Sequence, residues 1–371
     1  MKIGILTLPQ ETNYGGILQA FALQRVLRSM GHDAMTIDRH KRKEYPSLKV
    51  HIAGYCKRLF QHYLQRKENV SVKWDPFISD QDYKAVSEKT QAFIKRNIKM
   101  TRWVYTDQLA EIDCEYQFDA YVVGSDQVWL DYYCPSSFLD FVKRPGVKKL
   151  FYAASCGKQS FFNNSAKVAL CRELVKSFSG VSVREESLLR PCKEKLGVDA
   201  LWVLDPTMLL DRNVYLEATE CNVDSKPVVF SYILDQNLEK DALVNAVAAH
   251  KNLPVVNGNR KNSVKNAVFP SVDDWLQNIN RSEFVVTDSF HGTVFAILFN
   301  KPFVTIGNVG RGLARFESLL GRLGLLDRLV EDIQSDVILK LSDKQIDFSK
   351  VNGIIDDERA NSLDFLINSL K

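Results

Sequence analysis

Short apolar runs along this chain alternate with longer stretches in which apolar residues recur at helical spacing, and polar or glycine residues mark the joins. Lys2 to Leu8 reads as a first strand. It enters a loop, Pro9 to Tyr14, that ends in Gly15-Gly16. Leu18, Ala22, Leu23, Val26 and Leu27 predict a helix over Ile17 to Met30, stopped by Gly31. Ala34 to Ile37 is a second strand, and Phe118 to Gly124, Leu150 to Gly157 and Leu201 to Leu204 predict three more, while Val181 to Leu188 begins as a short strand that runs through Arg184-Glu185-Glu186 into a helix. Leu209 to Lys226 carries charge and no strand pattern. A second series follows: a strand over Val228 to Ile233, a helix over Leu238 to His250, a strand over Pro254 to Val256 and a helix over Ser271 to Asn280 capped by Ser271. Phe284 to Val304, FVVTDSFHGTVFAILFNKPFV, is a strand, a polar turn, a helix and the start of another strand. A helix over Phe316 to Leu323 comes next, and a last one over Asp357 to Lys371 closes the chain.

This alternation predicts an α/β protein with a parallel sheet in each half. At 371 residues two domains are expected. The strand-free joint places them at 1–215 and 216–350, with 351–371 as a helix that can cross back to the first. Residues 40–112 read as a helical, basic insertion in the first domain.

Five strand ends carry polar or glycine residues: 13–16, 124–127, 155–157, 184–185 and 205–207. One parallel sheet with one working edge explains that, since ligands of open α/β sheets gather outside the carboxyl ends of strands. The candidates at this edge are Asn13, Tyr14, Gly15, Gly16, Ser125, Asp126, Gln127, Ser155, Arg184, Glu185 and Asp205. In the second half Asp288, Ser289, His291 and Gly292 fill the turn after a strand. His291 falls on the first helical turn, where bare N–H groups favour negative charge. Asp288 or Ser289 also suits a helix cap. Arg311 and Arg315, on the glycine-bearing loop NVGRGLAR, add cations. Guanidinium groups bind phosphate and carboxylate bidentately, so a small ligand bearing both, held between two domains, is expected. For Arg184 an ion pair with Glu185 is the competing reading.

Composition is that of an ordinary globular chain, 45% hydrophobic and 25% charged, with a net charge of +4. That mild excess permits an anionic ligand or membrane surface. No nucleic-acid motif occurs, so no nucleic-acid partner is expected. The run from Arg39 to Asn69 is basic, with interleaved aromatics. It reads as a solvated helix face, or alternatively as a patch that docks on anionic lipid. The seven cysteines show no CxxC pair, and His32, His40, His51, His62 and His250 have no ligand partner at metal spacing. Neither a metal nor another cofactor is expected. No G-x-S-x-G elbow supports a serine hydrolase. The first residues read as a strand and no stretch approaches the length of a membrane span, so a cytoplasmic protein, working at most at the inner membrane face, is expected.

Taken together, NYGGILQAFALQ (13–24), VVGSDQVW (122–129), YAASCG (152–157), SVRE (182–185), DPT (205–207) and TDSFHG (287–292) resemble the polysaccharide pyruvyl transferase family. The resemblance implies two Rossmann-like domains facing a cleft, as in GT-B glycosyltransferases. It implies transfer of a pyruvyl group from phosphoenolpyruvate onto two hydroxyls of a sugar, as a ketal. The acceptor would be a lipid-linked or nucleotide-linked sugar of surface polysaccharide assembly. His291 matches the histidine of the family's His-Gly motif and would contact donor phosphate or act as acid and base. Arg184 matches an arginine that orients the donor. The chain departs from the family at Ser289, where many members read Arg-Leu-His-Gly, and Arg311 or Arg315 is the expected substitute. The other readings are a GT-B glycosyltransferase using a sugar nucleotide, and a non-catalytic sugar- or nucleotide-binding protein.

Overall fold

The structure, a computed structural model, describes residues 1–40, 42, 48–64, 80–157, 159–220, 226–259, 268–307 and 312–371. Its strands are β1 Lys2–Leu6, β2 Asp33–Thr36, β3 Arg39–His40, β4 Val104–Tyr105, β5 Ala120–Val123, β6 Lys148–Ala154, β7 Gly180–Val183 and β8 Leu201–Trp202 in the first half. In the second they are β9 Val228–Tyr232, β10 Val255–Asn257, β11 Ser282–Thr287, β12 Phe303–Ile306 and β13 Leu329–Val330. The first sheet runs β2-β1-β5-β6-β7-β8 and the second β10-β9-β11-β12-β13, and each neighbouring pair in both is parallel. β3 and β4 form a separate parallel pair. Parallel strands are covered on both faces, which is why AYVV in β5 and Phe284-Val285-Val286 in β11 are apolar without alternation and buried.

In each sheet the chain first winds one way and then the other, so the order reverses between β1 and β5 and again between β9 and β11. Such reversals open a crevice at the carboxyl ends. The loop after β1 leads into the first helix, Tyr14–Ser29, and the turn after β11 leads into the helix Phe290–Leu298. The two crevices therefore face each other through the starts of these helices.

The Tyr14–Ser29 helix is buried at every position but Arg25, Arg28 and Ser29. A helix apolar all round belongs inside a core, and this one is wedged between the halves. A single apolar cluster runs from Ile3, Val122 and Leu150 of the first sheet, through Leu18, Phe21 and Leu27, to Phe230, Val285 and Phe303 of the second. Tyr14 stacks on Trp275 at 5.5 Å between centroids, and its hydroxyl donates to the Pro270 carbonyl at 2.8 Å. Arg96, on the helix Asp80–Asn97, pairs with Asp273 at 2.6 Å. The closing helix, Phe348–Leu370, lies on the first half: Ser362 Oγ accepts from the Leu204 amide at 3.0 Å, and the Leu370 carbonyl accepts from Lys148 Nζ at 3.0 Å.

The first helix starts at Tyr14, three residues earlier than the periodicity indicates, so Gly15 and Gly16 sit in its first turn rather than in the loop. Arg39, expected on a solvated basic face, is completely buried on β3. A two-residue strand paired with β4 takes its side chain inward, which a helix-based reading of the basic run does not foresee.

Asp288 follows β11 and is 1% exposed. Its carboxylate accepts the Leu234 and Asp235 amides at 2.6 and 3.1 Å and pairs with Lys240 Nζ at 2.7 Å. It thus pins the loop after β9 to the loop after β11. Removing one partner of a buried pair leaves an uncompensated charge. Lys240→Met should lower stability by about 3 kcal/mol, read as a fall in the urea midpoint at an unchanged slope.

Candidate active site

β7 ends in Arg184 and Glu185. Consecutive residues of an extended chain point to opposite sides, and the two part company here. The Arg184 guanidinium turns toward β5 and β8: Nη1 donates to Asp205 Oδ2 at 2.7 Å and Nη2 to Asp126 Oδ1 at 3.3 Å. Glu185 turns toward β6, where Oε1 accepts from Ser155 Oγ at 2.7 Å. Burial works against the arginine's charge, but Asp205, Asp126 and Glu185 outweigh it and raise its pKa. Burial dominates at Glu185 and raises its pKa, against the opposing pull of Arg184, Ser155 and Arg315. Oε2 of Glu185 and Nε of Arg184 make no hydrogen bond.

Asp205 is the hub. It caps the 3-10 turn Pro206–Leu209, with Oδ1 accepting the Thr207 amide at 3.0 Å and the Thr207 hydroxyl at 2.7 Å. Oδ2 meets Arg184, lies 3.2 Å from Ser125 Oγ, and stands 3.6 Å from Nε2 of His291. Burial pushes its pKa up, but His291, Arg184 and Thr207 win and hold the carboxyl well below the usual carboxylate range. Ser125 is set by the first helix, since Gln19 Oε1 accepts its amide at 2.8 Å. Asp126 reaches Arg184 from a left-handed backbone, φ 68°.

His291 arrives from the other half. Ser289 caps its helix by accepting the Gly292 amide at 3.3 Å, and Gly292 packs so closely on Thr287 that a Cβ there would overlap the threonine side chain. The imidazole lies against Gly15, where a Cβ would collide with Nδ1. That contact accounts for a glycine in a helical turn, at some cost in helix propensity. His291 is 6% exposed, and its Nε2 makes no hydrogen bond, the 3.6 Å to Asp205 being an ion-pair distance. Beside it the Phe290 ring carries two guanidinium groups, Arg184 at 4.6 Å and Arg315 at 5.7 Å from its centroid.

The structure thus brings together His291, Arg184, Glu185, Asp126, Asp205, Ser125, Ser155, Gly15 and Arg315. Arg315 lies on the helix Ala314–Arg322 rather than on the loop before it. Gln127 is half-buried, close enough to Gly157 that a Cβ at Gly157 would touch its amide. Gly16 offers its carbonyl to Gln19 at 3.0 Å, and Asn13 is exposed at the helix start. Tyr14, a candidate at the working edge, is 1% exposed in the seam between the halves, and Asp288 is engaged as described. Arg311 lies outside the described residues. Phe290, Thr207 and Gln19 are the members that sequence reasoning missed. Apolar or common residues carry no chemical signal until tertiary contacts assign them one. Among the described residues no group of three His, Cys, Asp or Glu could hold a metal ion, and no helix is long and apolar enough to cross a membrane.

The expected cradle of cations is instead a near-balanced cluster, with Arg184 and Arg315 against Asp126, Asp205 and Glu185. Two Rossmann-like halves with parallel sheets whose carboxyl edges face each other define a GT-B-like fold. Solved structures agree at the level of fold. UDP-GlcNAc 2-epimerase from Neisseria meningitidis is 10% identical, with a TM-score of 0.54, over 100% of this chain and 99% of that one. The glycotransferase of kitacinnamycin is 12% identical, with a TM-score of 0.51, also over 100% and 99%. Comparison with curated proteins by sequence gives no match. The family model for polysaccharide pyruvyl transferase matches residues 13–309, and the chain belongs to that family.

The depressed pKa of Asp205 carries a signed consequence. Its ionised form is favoured by folding, so its contribution is complete above the unfolded value near pH 4 and is lost as pH falls below that toward the folded value. Asp205→Asn should lose about 3 kcal/mol at pH 7 by removing the shorter of the two ion pairs of buried Arg184 and leaving only Asp126 at 3.3 Å. Its stability should also fall less steeply than the parent's below about pH 4, as followed by urea unfolding across the acid range.

Proposed function

We propose that this chain transfers a pyruvyl group from phosphoenolpyruvate to two hydroxyls of a sugar, forming a ketal and releasing phosphate. The observation that carries the reading is the buried, unbonded Nε2 of His291 held over the Asp205 carboxylate that Arg184 shares. A buried imidazole poised in this way suits proton transfer.

In the first step a proton from His291 goes to C3 of the enol, and C2 accepts one sugar hydroxyl, whose proton is lost. The bond from C2 to the phosphate oxygen then breaks, phosphate leaves, and the second hydroxyl closes the ketal with loss of its proton. Asp205 orients the imidazole and balances the charge it carries when protonated. Glu185, whose pKa burial raises and whose Oε2 has no partner, suits the role of proton acceptor for a hydroxyl. Arg315 and Nε of Arg184 offer positive charge to the donor, with Arg315 standing in for the arginine that Ser289 replaces. Phosphoenolpyruvate is the donor, and a lipid-linked or nucleotide-linked sugar is the acceptor. Exposed Ile52, Phe60, Tyr63 and Leu64, on the segment that carries Lys57 and Arg58, support contact with an anionic membrane surface at the inner face, where such acceptors sit.

Ser289 also favours a second reading, a glycosyltransferase using a sugar nucleotide. The donor separates the two. Phosphoenolpyruvate at a hundredfold excess over its Kd should stabilise the protein by about 2.7 kcal/mol, and phosphate release should require an acceptor sugar. His291→Ala should cut that turnover on the order of a hundredfold to ten-thousandfold with little loss of stability, and Gly15→Ala should act in the same direction by displacing the ring. Stabilisation by sugar nucleotides alone, with nucleotide release, would replace this reading by the second.

A further inference from the structure

The catalytic cluster is not the only buried charge at the working edge. Arg39 follows β2 on the carboxyl side of the first sheet and is 0% exposed. Its guanidinium stacks on the Tyr133 ring at 4.4 Å from the centroid, yet Nε, Nη1 and Nη2 make no hydrogen bond. No carboxylate among the described residues pairs with it. Burial lowers its pKa to about 10, which still leaves it charged at neutral pH.

Two other buried arginines, Arg328 and Arg184, behave differently. Arg328, 1% exposed, gives Nη1 to the Leu341 carbonyl at 2.8 Å and Nη2 to the Lys344 carbonyl at 2.7 Å. Arg184 has Asp205 and Asp126. A buried charge with five N–H donors and no acceptor is costly, and a fork of this shape fits an oxyanion. The Ser137 hydroxyl, on the segment that carries Tyr133, is likewise buried and unbonded.

We propose that Arg39 forms an anion subsite, with Tyr133 as its wall, that takes the phosphate or carboxylate of an acidic sugar acceptor. β2 stands two strands from β5, whose end bears Asp126. At about 4.8 Å per strand the gap is roughly 10 Å, which a sugar bearing an acid group can span. The subsite would therefore hold the acceptor by its charged end and present its hydroxyls toward His291, whose ring lies against Gly15 in the helix that follows β1. Identifying the anion as the acceptor's rests on the transfer reading above; anion binding at Arg39 does not.

The test compares the parent, Arg39→Met and His291→Ala, titrated with glucose 1-phosphate, glucuronate and glucose while the thermal midpoint is followed. An acidic sugar should raise the midpoint of the parent and of His291→Ala by several degrees, and Arg39→Met should lose that increment. Which acidic sugar acts identifies phosphate or carboxylate. An equal increment in Arg39→Met, or stabilisation by glucose as large as by the acidic sugars, overturns the subsite. Should Arg39→Met fail to fold, Arg39→Lys keeps the charge without the fork and should bind at least tenfold more weakly; unchanged affinity overturns the proposal. Phosphoenolpyruvate, run in parallel, separates the two readings. Its effect persisting without an Arg39-dependent increment sinks only the subsite, and the reverse result sinks only the donor assignment.

Discussion

One oxygen atom organises this molecule. Oδ2 of Asp205 lies between a guanidinium from the first sheet and an imidazole from the second half, at 2.7 and 3.6 Å. None of the three groups is a comfortable tenant of a dry interior, where an isolated ion is strongly disfavoured. Together they are tolerable. The carboxylate holds Arg184 charged, Thr207 and Ser125 fix the carboxylate, and Gln19 fixes Ser125 from the first helix. The imidazole is then placed against a scaffold that belongs entirely to the opposite half. The electrostatics of the site and the docking of the two sheets are therefore one arrangement.

Close approach is the geometric counterpart of that arrangement. The first helix and the His291 helix meet start to start, and the missing side chain of Gly15 makes room for the ring. Gly292 does the same for Thr287 one turn away. Both glycines give up helix propensity, by about 1 kcal/mol each relative to alanine, at places where the backbone must come near something. The reversal of strand order in each sheet brings these helix starts to face one another, so topology supplies the cleft and glycine sets its width.

Much of this was legible in the chain. Apolar runs that end in Ser-Asp, Ser-Cys-Gly, Arg-Glu or Asp-Pro mark buried parallel strands whose last residues leave the core, and those ends do converge here. Side-chain direction was less legible. Arg184 beside Glu185 suggests a pair along the sequence, but alternation sends them to different partners. Tyr14 looks like a ligand platform and is a rivet in the seam, because its neighbours Trp275 and Tyr232 lie far away in sequence. Asp288 carries the signal of a site residue, yet Lys240, whose ammonium neutralises it, has no local mark at all. Arg39 sits in a basic run that reads as a wet surface. Its burial depends on a short ladder with Val104, a residue near the other end of the 40–112 stretch.

The apolar cluster that passes unbroken from one sheet to the other has a mechanical meaning. Two-lobed enzymes that gape around their ligands keep a seam that water can refill when the jaws part. Here the seam is aromatic and aliphatic, with Tyr14, Trp275, Phe290 and Phe295 interleaved across it. Prying it open would wet that surface much as unfolding does. A seam built this way ties the spacing of the two strand-end edges to the packing of the core beneath them, so that a change in one is felt in the other.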